Sequence, residues 1–127
     1  MALKSGTAAA LLLILHLSPA IADEPVIIGR DAGFDACGAI SQTKTQTNVH
    51  ADPARQSRIL DVLAAGVQVW DCDWKELNGE AWSGVVYSLE PDKDCGPMGT
   101  PIPEPRDYVG PCHYGWVNRD DLILIAG

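Results

Sequence analysis

VQVWDCDWKELNGEAWSGVVYSL, residues 67–89, decides the fold. Its first eight residues alternate apolar and polar, the period of a strand with one face in a core and one in water. Asn78-Gly79 then offers two residues that tolerate positive φ in succession, as a tight type I′ hairpin turn requires. AWSGVVYSL (81–89) returns, rich in β-branched and aromatic residues. The stretch predicts an antiparallel hairpin and an all-β chain.

Working outward, residues 90–112 carry Pro91, Pro97, Pro101, Pro103, Pro105 and Pro111 and no periodicity. YGWV (114–117) resumes β character, NRDDL (118–122) reads as one helical turn, and ILIAG closes the chain. On the other side, RILDVLAAG (58–66) is too short for a helix and ends at Gly66, so it reads as a strand. Asn48, Asp52 and Pro53 make 48–57 a turn, and the Thr-rich ISQTKTQTNV (40–49) reads as one solvated strand. Residues 23–37 form an N-terminal arm whose apolar VII suits an added edge strand. About five short strands, with turn signals between them, suggest a small sandwich or barrel. No internal repeat, heptad or low-complexity tract is visible.

The chain has 127 residues, enough for one domain. Residues 1–22 read as an export signal. Lys4 supplies the positive start, AAALLLILHL (8–17) the apolar run, and Ala20 and Ala22 a small-x-small site for cleavage after Ala22. The apolar run is shorter than the ~20 residues of a membrane span, so no stable membrane insertion is expected once the signal is removed. The full chain carries a formal charge of −8; cleavage removes one basic residue and no acidic one, leaving −9. That excess opposes nucleic acid and anionic lipid as partners. Cys37, Cys72, Cys95 and Cys112 all follow the signal, and an even count in an oxidising compartment implies two disulfides. Three pairings remain open on the count alone.

Chemistry-bearing residues are few. Trp70, Trp74 and Tyr108 are candidates for an aromatic ligand-binding surface, whereas Trp82 and Trp116 read as packing residues. His50 reads as a solvated turn residue. Asp71, Asp73, Glu76 and Glu80 read as a charged hairpin edge that discourages strand addition, and Asp120-Asp121 as a turn or cap. Cys112 and His113 are sequence neighbours, which a strand would direct to opposite faces, so they do not make a catalytic dyad. Cys95 and Cys112 lack zinc-ligand spacing. No catalytic residue, metal or cofactor is expected.

Taken in order, TNVHADPARQSRILDVLAAGVQVWDCD (47–73), NGEAWSGVVY (78–87) and GWVNRDDL (115–122) resemble the bacterial SH3-like domain. Small secreted, cysteine-containing members are the nearer likeness, through Cys95-Gly96, Tyr108, Gly110-Pro111-Cys112 and Gly115-Trp116-Val117. Two departures are His50, where arginine is usual, and an insertion of about 88–112 between strands usually joined by a tight turn. The resemblance implies a partly open barrel of about five strands over 38–127, with a disulfide-closed insertion. If 82–88 pairs antiparallel with 114–117, as this arrangement implies, Cys95 and Cys112 are held close enough to bond. Cys37–Cys72 is then the second bridge. The resemblance does not imply one function; with the expected signal and the lack of a catalytic constellation, the chain is expected to be a periplasmic or secreted binding module without catalytic activity. The expected partner is an envelope protein or peptide. Peptidoglycan is the alternative, and a thiol- or metal-dependent envelope enzyme a more distant one. A fold of this kind does not by itself name its ligand.

Overall fold

A computed structural model describes residues 19–30 and 34–127. Residues 1–18, which carry the charged and apolar parts of the expected signal, lie outside the described residues.

The hairpin forms as its turn chemistry demands. β5 (Gln68–Leu77) and β6 (Glu80–Tyr87) are joined at Asn78 and Gly79, whose φ angles are 52° and 76°. Around this hairpin lie β2 (Ala39–Thr43), β3 (Thr47–His50), β4 (Ile59–Leu63), β8 (His113–Asn118) and β9 (Leu122–Ala126). They make one antiparallel sheet in the order β4-β3-β8-β6-β5-β2-β9. A second, two-stranded sheet pairs β1 (Ile27–Ile28) with β7 (Arg106–Asp107). The described residues are all-β, with one 3₁₀ turn at Arg119–Asp121 capped by Asn118, whose Oδ1 accepts from Asp120 N at 3.0 Å. Among the described residues no helix is long and apolar enough to cross a membrane.

Three expectations are corrected here. The main sheet has seven strands, not about five, because 40–49 is two strands rather than one and the closing Leu122–Ala126 segment joins the sheet as another. Its threonines tie down turns as well as ladders, Thr43 the β4–β5 turn and Thr47 the turn between β2 and β3. Thr43 Oγ1 donates to Ala64 O at 2.7 Å and accepts from Val67 N, while Thr47 Oγ1 donates to Thr45 O at 2.8 Å. The N-terminal arm adds its strand not to the main sheet but to β7, inside the insertion. His50 is not solvated: it is 8% exposed on β3, edge-on to Trp82 at 5.4 Å, with Nδ1 3.2 Å from Ser57 O.

Each face of the main sheet carries its own core. One holds Val49, Leu63, Val69, Val85, Val117 and Leu122. Leu63 and Leu122 come from the two ends of the strand order, so this cluster runs across the whole face of the sheet. The opposite face presents Trp82, Val86 and Trp116, covered by Val26, Ile28 and Ala36 of the arm and Met98 and Tyr108 of the insertion. Both disulfides, Cys37–Cys72 and Cys95–Cys112, lie in this second core. By the chain-entropy argument the bridges, 35 and 17 residues in span, contribute about 4 and about 3 kcal/mol.

The arm is held by backbone bonds at both ends. Asp23 N and Glu24 N both donate to Ala51 O, and Cys37 N donates to Met98 O at 2.9 Å. Trp116 Nε1, buried with its ring, donates to Glu24 O at 2.9 Å. Ala22, the residue after which cleavage is expected, is itself buried. Just before it, Ala20 donates to His113 Nδ1 at 2.9 Å and accepts from Tyr114 N at 3.0 Å.

Gly-Trp-Val has a packing explanation. A Cβ on Gly115 would sit 2.5 Å from Val49 Cγ1 and 3.0 Å from His50 O, so only glycine lets β3 lie this close to β8. Trp116 and Val117 then turn to opposite faces, each fully buried. Gly115→Ala is therefore expected to destabilise the fold by about 1–3 kcal/mol, read as a fall in Tm of several degrees by calorimetry. An unchanged Tm would contradict this account of the motif.

Candidate functional site

Strict alternation along β5 would put Trp70 and Trp74 on one face. It does not, because Cys72 is an extra residue: Asp71 pairs with Val85 and Asp73 with Gly84, leaving Cys72 unpaired in a β-bulge. The bulge reverses the parity of everything after it. Trp70, opposite Val86, packs into the disulfide core with its ring 3.5 Å from where a Gly99 Cβ would stand. Trp74, opposite Ser83, emerges on the other face and is 49% exposed. Tyr108 is on neither surface. It is 2% exposed, its hydroxyl donates to Cys95 O at 2.8 Å and accepts from Cys112 N at 3.1 Å, and its ring meets Tyr114 edge-on. The three aromatics singled out from sequence thus form no common groove, and Tyr108 knits the insertion to its own disulfide.

Trp74 borders a cleft of about 460 Å³. Ser41 and Asp71 form its polar wall, Leu122 and Leu124 of β9 its apolar wall, and Arg30 and Arg119 also line it. The Arg119 guanidinium lies 6.0 Å from the centre of the Trp74 ring, within cation–π range, and Arg119 Nε donates to Ser83 Oγ at 3.2 Å.

Two carboxylates underlie this surface. Asp73 has a fully buried side chain that accepts from Arg30 Nε at 2.5 Å, from Ile27 N at 2.9 Å and from Trp74 N at 2.8 Å. It holds the arm, the bulge and the tryptophan together. Asp71 Oδ2 accepts from Ser41 Oγ and Ser83 Oγ, each at 3.2 Å, and Arg119 Nη2 stands 3.8 Å from Oδ1. Burial pushes the Asp71 carboxyl above the usual carboxylate range; Arg119, and then the two hydroxyls, offset this only in part. Asp71 and Asp73 are therefore not the solvated hairpin edge expected from sequence, because the bulge and the arm enclose them. Glu80 does lie at the hairpin end, paired with Arg55 Nε at 2.5 Å.

Chemically this surface combines an indole, two half-exposed guanidiniums and an apolar strand around a hydrogen-bonded carboxylate, a set able to make apolar and ionic contacts. Among the described residues the imidazoles lie elsewhere: His50 faces Trp82 and His113 stacks on Tyr87 at 5.3 Å. All four cysteines are in disulfides. Among the described residues no group of three His, Cys, Asp or Glu is placed to hold a metal. A smaller recess of about 210 Å³ lies beside Trp70 and Lys93. Sequence reasoning missed Ser41, Ser83, Arg30, Arg119 and Leu124. The one signal for any of them was Ser83, a polar residue within an otherwise buried strand.

A carboxyl whose pKa is raised by folding weakens the fold when it ionises. The cost is absent below the unfolded value, near pH 4, and grows as pH rises through the folded one. The groups facing Asp71 are Arg119, Ser41 and Ser83, with the Asp73–Arg30 pair in the same cleft. Asp71→Asn is therefore expected to raise Tm at pH 7, with the gain shrinking to nothing as pH falls to about 4. A gain that grows on acidification would contradict this assignment.

Compared with family models, with curated proteins and with solved structures, the chain finds no match, so its own residues carry the functional reading.

Proposed function

We propose that this chain is an exported, non-catalytic recognition module of the SH3-like kind, and that it binds a protein partner of the cell envelope at the Trp74 cleft. The antiparallel all-β sheet, with a 3₁₀ turn leading into its last strand, supports the SH3-like part of this reading. Two disulfides fit an oxidising compartment. The observation that carries the binding site is Trp74, half in water and held over a cleft by a bulge whose extra residue is disulfide-bonded. Covering roughly 100 Å² of that indole contributes about 2–3 kcal/mol, the scale of an interface anchor.

Peptidoglycan is the second reading, because an exposed indole also stacks on sugar rings. The acid excess of the chain disfavours a wall that itself carries carboxylates. Crosslinking of the disulfide-bonded, exported protein in its host, paired with co-sedimentation on purified sacculi, separates the two. Crosslinks from residues around Trp74 to one protein, with no retention on sacculi, are the expected result; clear retention on sacculi instead would displace the protein-partner reading. Trp74→Ala is expected to weaken capture by at least about tenfold while leaving Tm within about a degree, as truncation of an exposed anchor does. A large fall in Tm would return Trp74 to a structural role.

A further inference from the structure

We propose that folding and signal removal exclude each other in this chain: residues 20–24 dock into the fold across the bond that cleavage breaks, so a chain that folds before it is cut keeps its signal. This rests on the export part of the reading above and is independent of the Trp74 cleft.

The bond in question joins Ala22 to Asp23, just after the small pair Ala20 and Ala22. Cutting it adds one water: the hydroxyl goes to the Ala22 carbonyl carbon and the hydrogen to the Asp23 nitrogen. A peptidase that reads two small side chains spaced in this way takes the segment extended. It bonds the main chain to its own backbone and seats the small side chains in its own pockets. In the folded chain those same groups are already engaged. β3 meets β8 at His50 and Trp116. Nearer the start of β8, Tyr114 N donates to Ala20 O at 3.0 Å, and Ala20 N donates to His113 Nδ1 at 2.9 Å. Ala22 is 8% exposed and packs in the disulfide core with Val26, Trp82 and Trp116.

The far side of the bond is held as firmly. Asp23 N and Glu24 N both donate to Ala51 O, at 3.0 and 3.1 Å, and Ala51 is fully buried. Glu24 O accepts from Trp116 Nε1 at 2.9 Å. The Asp23 carboxylate pairs with Arg58 and that of Glu24 with Lys75. Main-chain contacts to β8 and to the turn after β3 therefore clamp the bond from both directions. These partners are brought together by the folded sheet, so an unfolded chain carries no such clamp. To reach the bond in the folded chain, a peptidase must wait for residues 20–24 to lift away, and its rate then tracks the population of that open form.

The test treats the full 127-residue chain, in detergent, with a purified signal peptidase. Two states are compared: disulfide-bonded and folded, and reduced with all four thiols alkylated. Mass spectrometry reads the new N-terminus. The alkylated chain is expected to yield a product that begins at Asp23, and the folded chain to be cut at least about tenfold more slowly. Amide hydrogen exchange on the folded full chain should find Asp23 and Glu24 protected. His113→Ala, which removes the acceptor for Ala20 N, should speed cutting of the folded chain several-fold. The comparison of the two states uses unaltered protein, so it does not depend on a variant folding. Equal cutting of the two states would overturn the proposal and leave the export reading intact. Rapid exchange at Asp23 and Glu24, or an unchanged rate in His113→Ala, would overturn it as well. An alkylated chain left uncut at Ala22–Asp23 would overturn both the proposal and the export reading beneath it.

Discussion

One inserted residue governs the geometry of this protein. Cys72 has no partner on β6, and its sulfur is bonded to Cys37 at the entrance of β2. The bulge decides which way every later side chain of β5 points, and the disulfide anchors it in the core beneath the arm. Asp73, next in the chain, completes the anchorage by accepting from Trp74 N, Ile27 N and Arg30. A buried carboxylate with this many donors is costly to orphan, so the arm, the bulge and the tryptophan stand or fall together.

The second core follows from the same arrangement. One face of the sheet gathers a cluster around Val49, Val85 and Val117, and Trp82 and Trp116 project from the other. Two tryptophans cannot remain in water without a large apolar patch. The arm and the insertion cover them, and the pairing of β1 with β7 joins the two covers to each other. The proline-rich insertion is therefore mainly a lid over tryptophans. Its tyrosine, methionine and disulfide face inward, which leaves the open cleft at the Trp74 end of β5.

At that end the structure accepts local cost. Asp71 is ionisable, enclosed and only partly compensated by Arg119 and two serines. β9 leaves apolar side chains and backbone groups in water. Neither feature helps a free monomer, and both border the cleft that Trp74 overlooks. Their coincidence is what makes this cleft, rather than the smaller recess at Trp70, the centre of the functional reading.

Local chemistry in the sequence was enough for the all-β class, the Asn78-Gly79 turn, the strand that follows it and the burial of Trp82 and Trp116, because turn propensity and period-two burial act over a few residues. The two disulfides also followed once 82–88 was set against 114–117, since neighbouring strands bring their flanking cysteines within reach. The site was not legible. A bulge shows no local signature in VQVWDCDW, yet it sends Trp74 and Trp70 to opposite faces, and the burial of His50, Asp71, Asp73 and Tyr108 depends on an arm and an insertion distant in the chain. Arg30, Ser41, Ser83, Arg119 and Leu124 come from five separate segments. Only tertiary structure decides which of them meet, because strand register and the cover over each face are set by contacts between residues far apart in sequence.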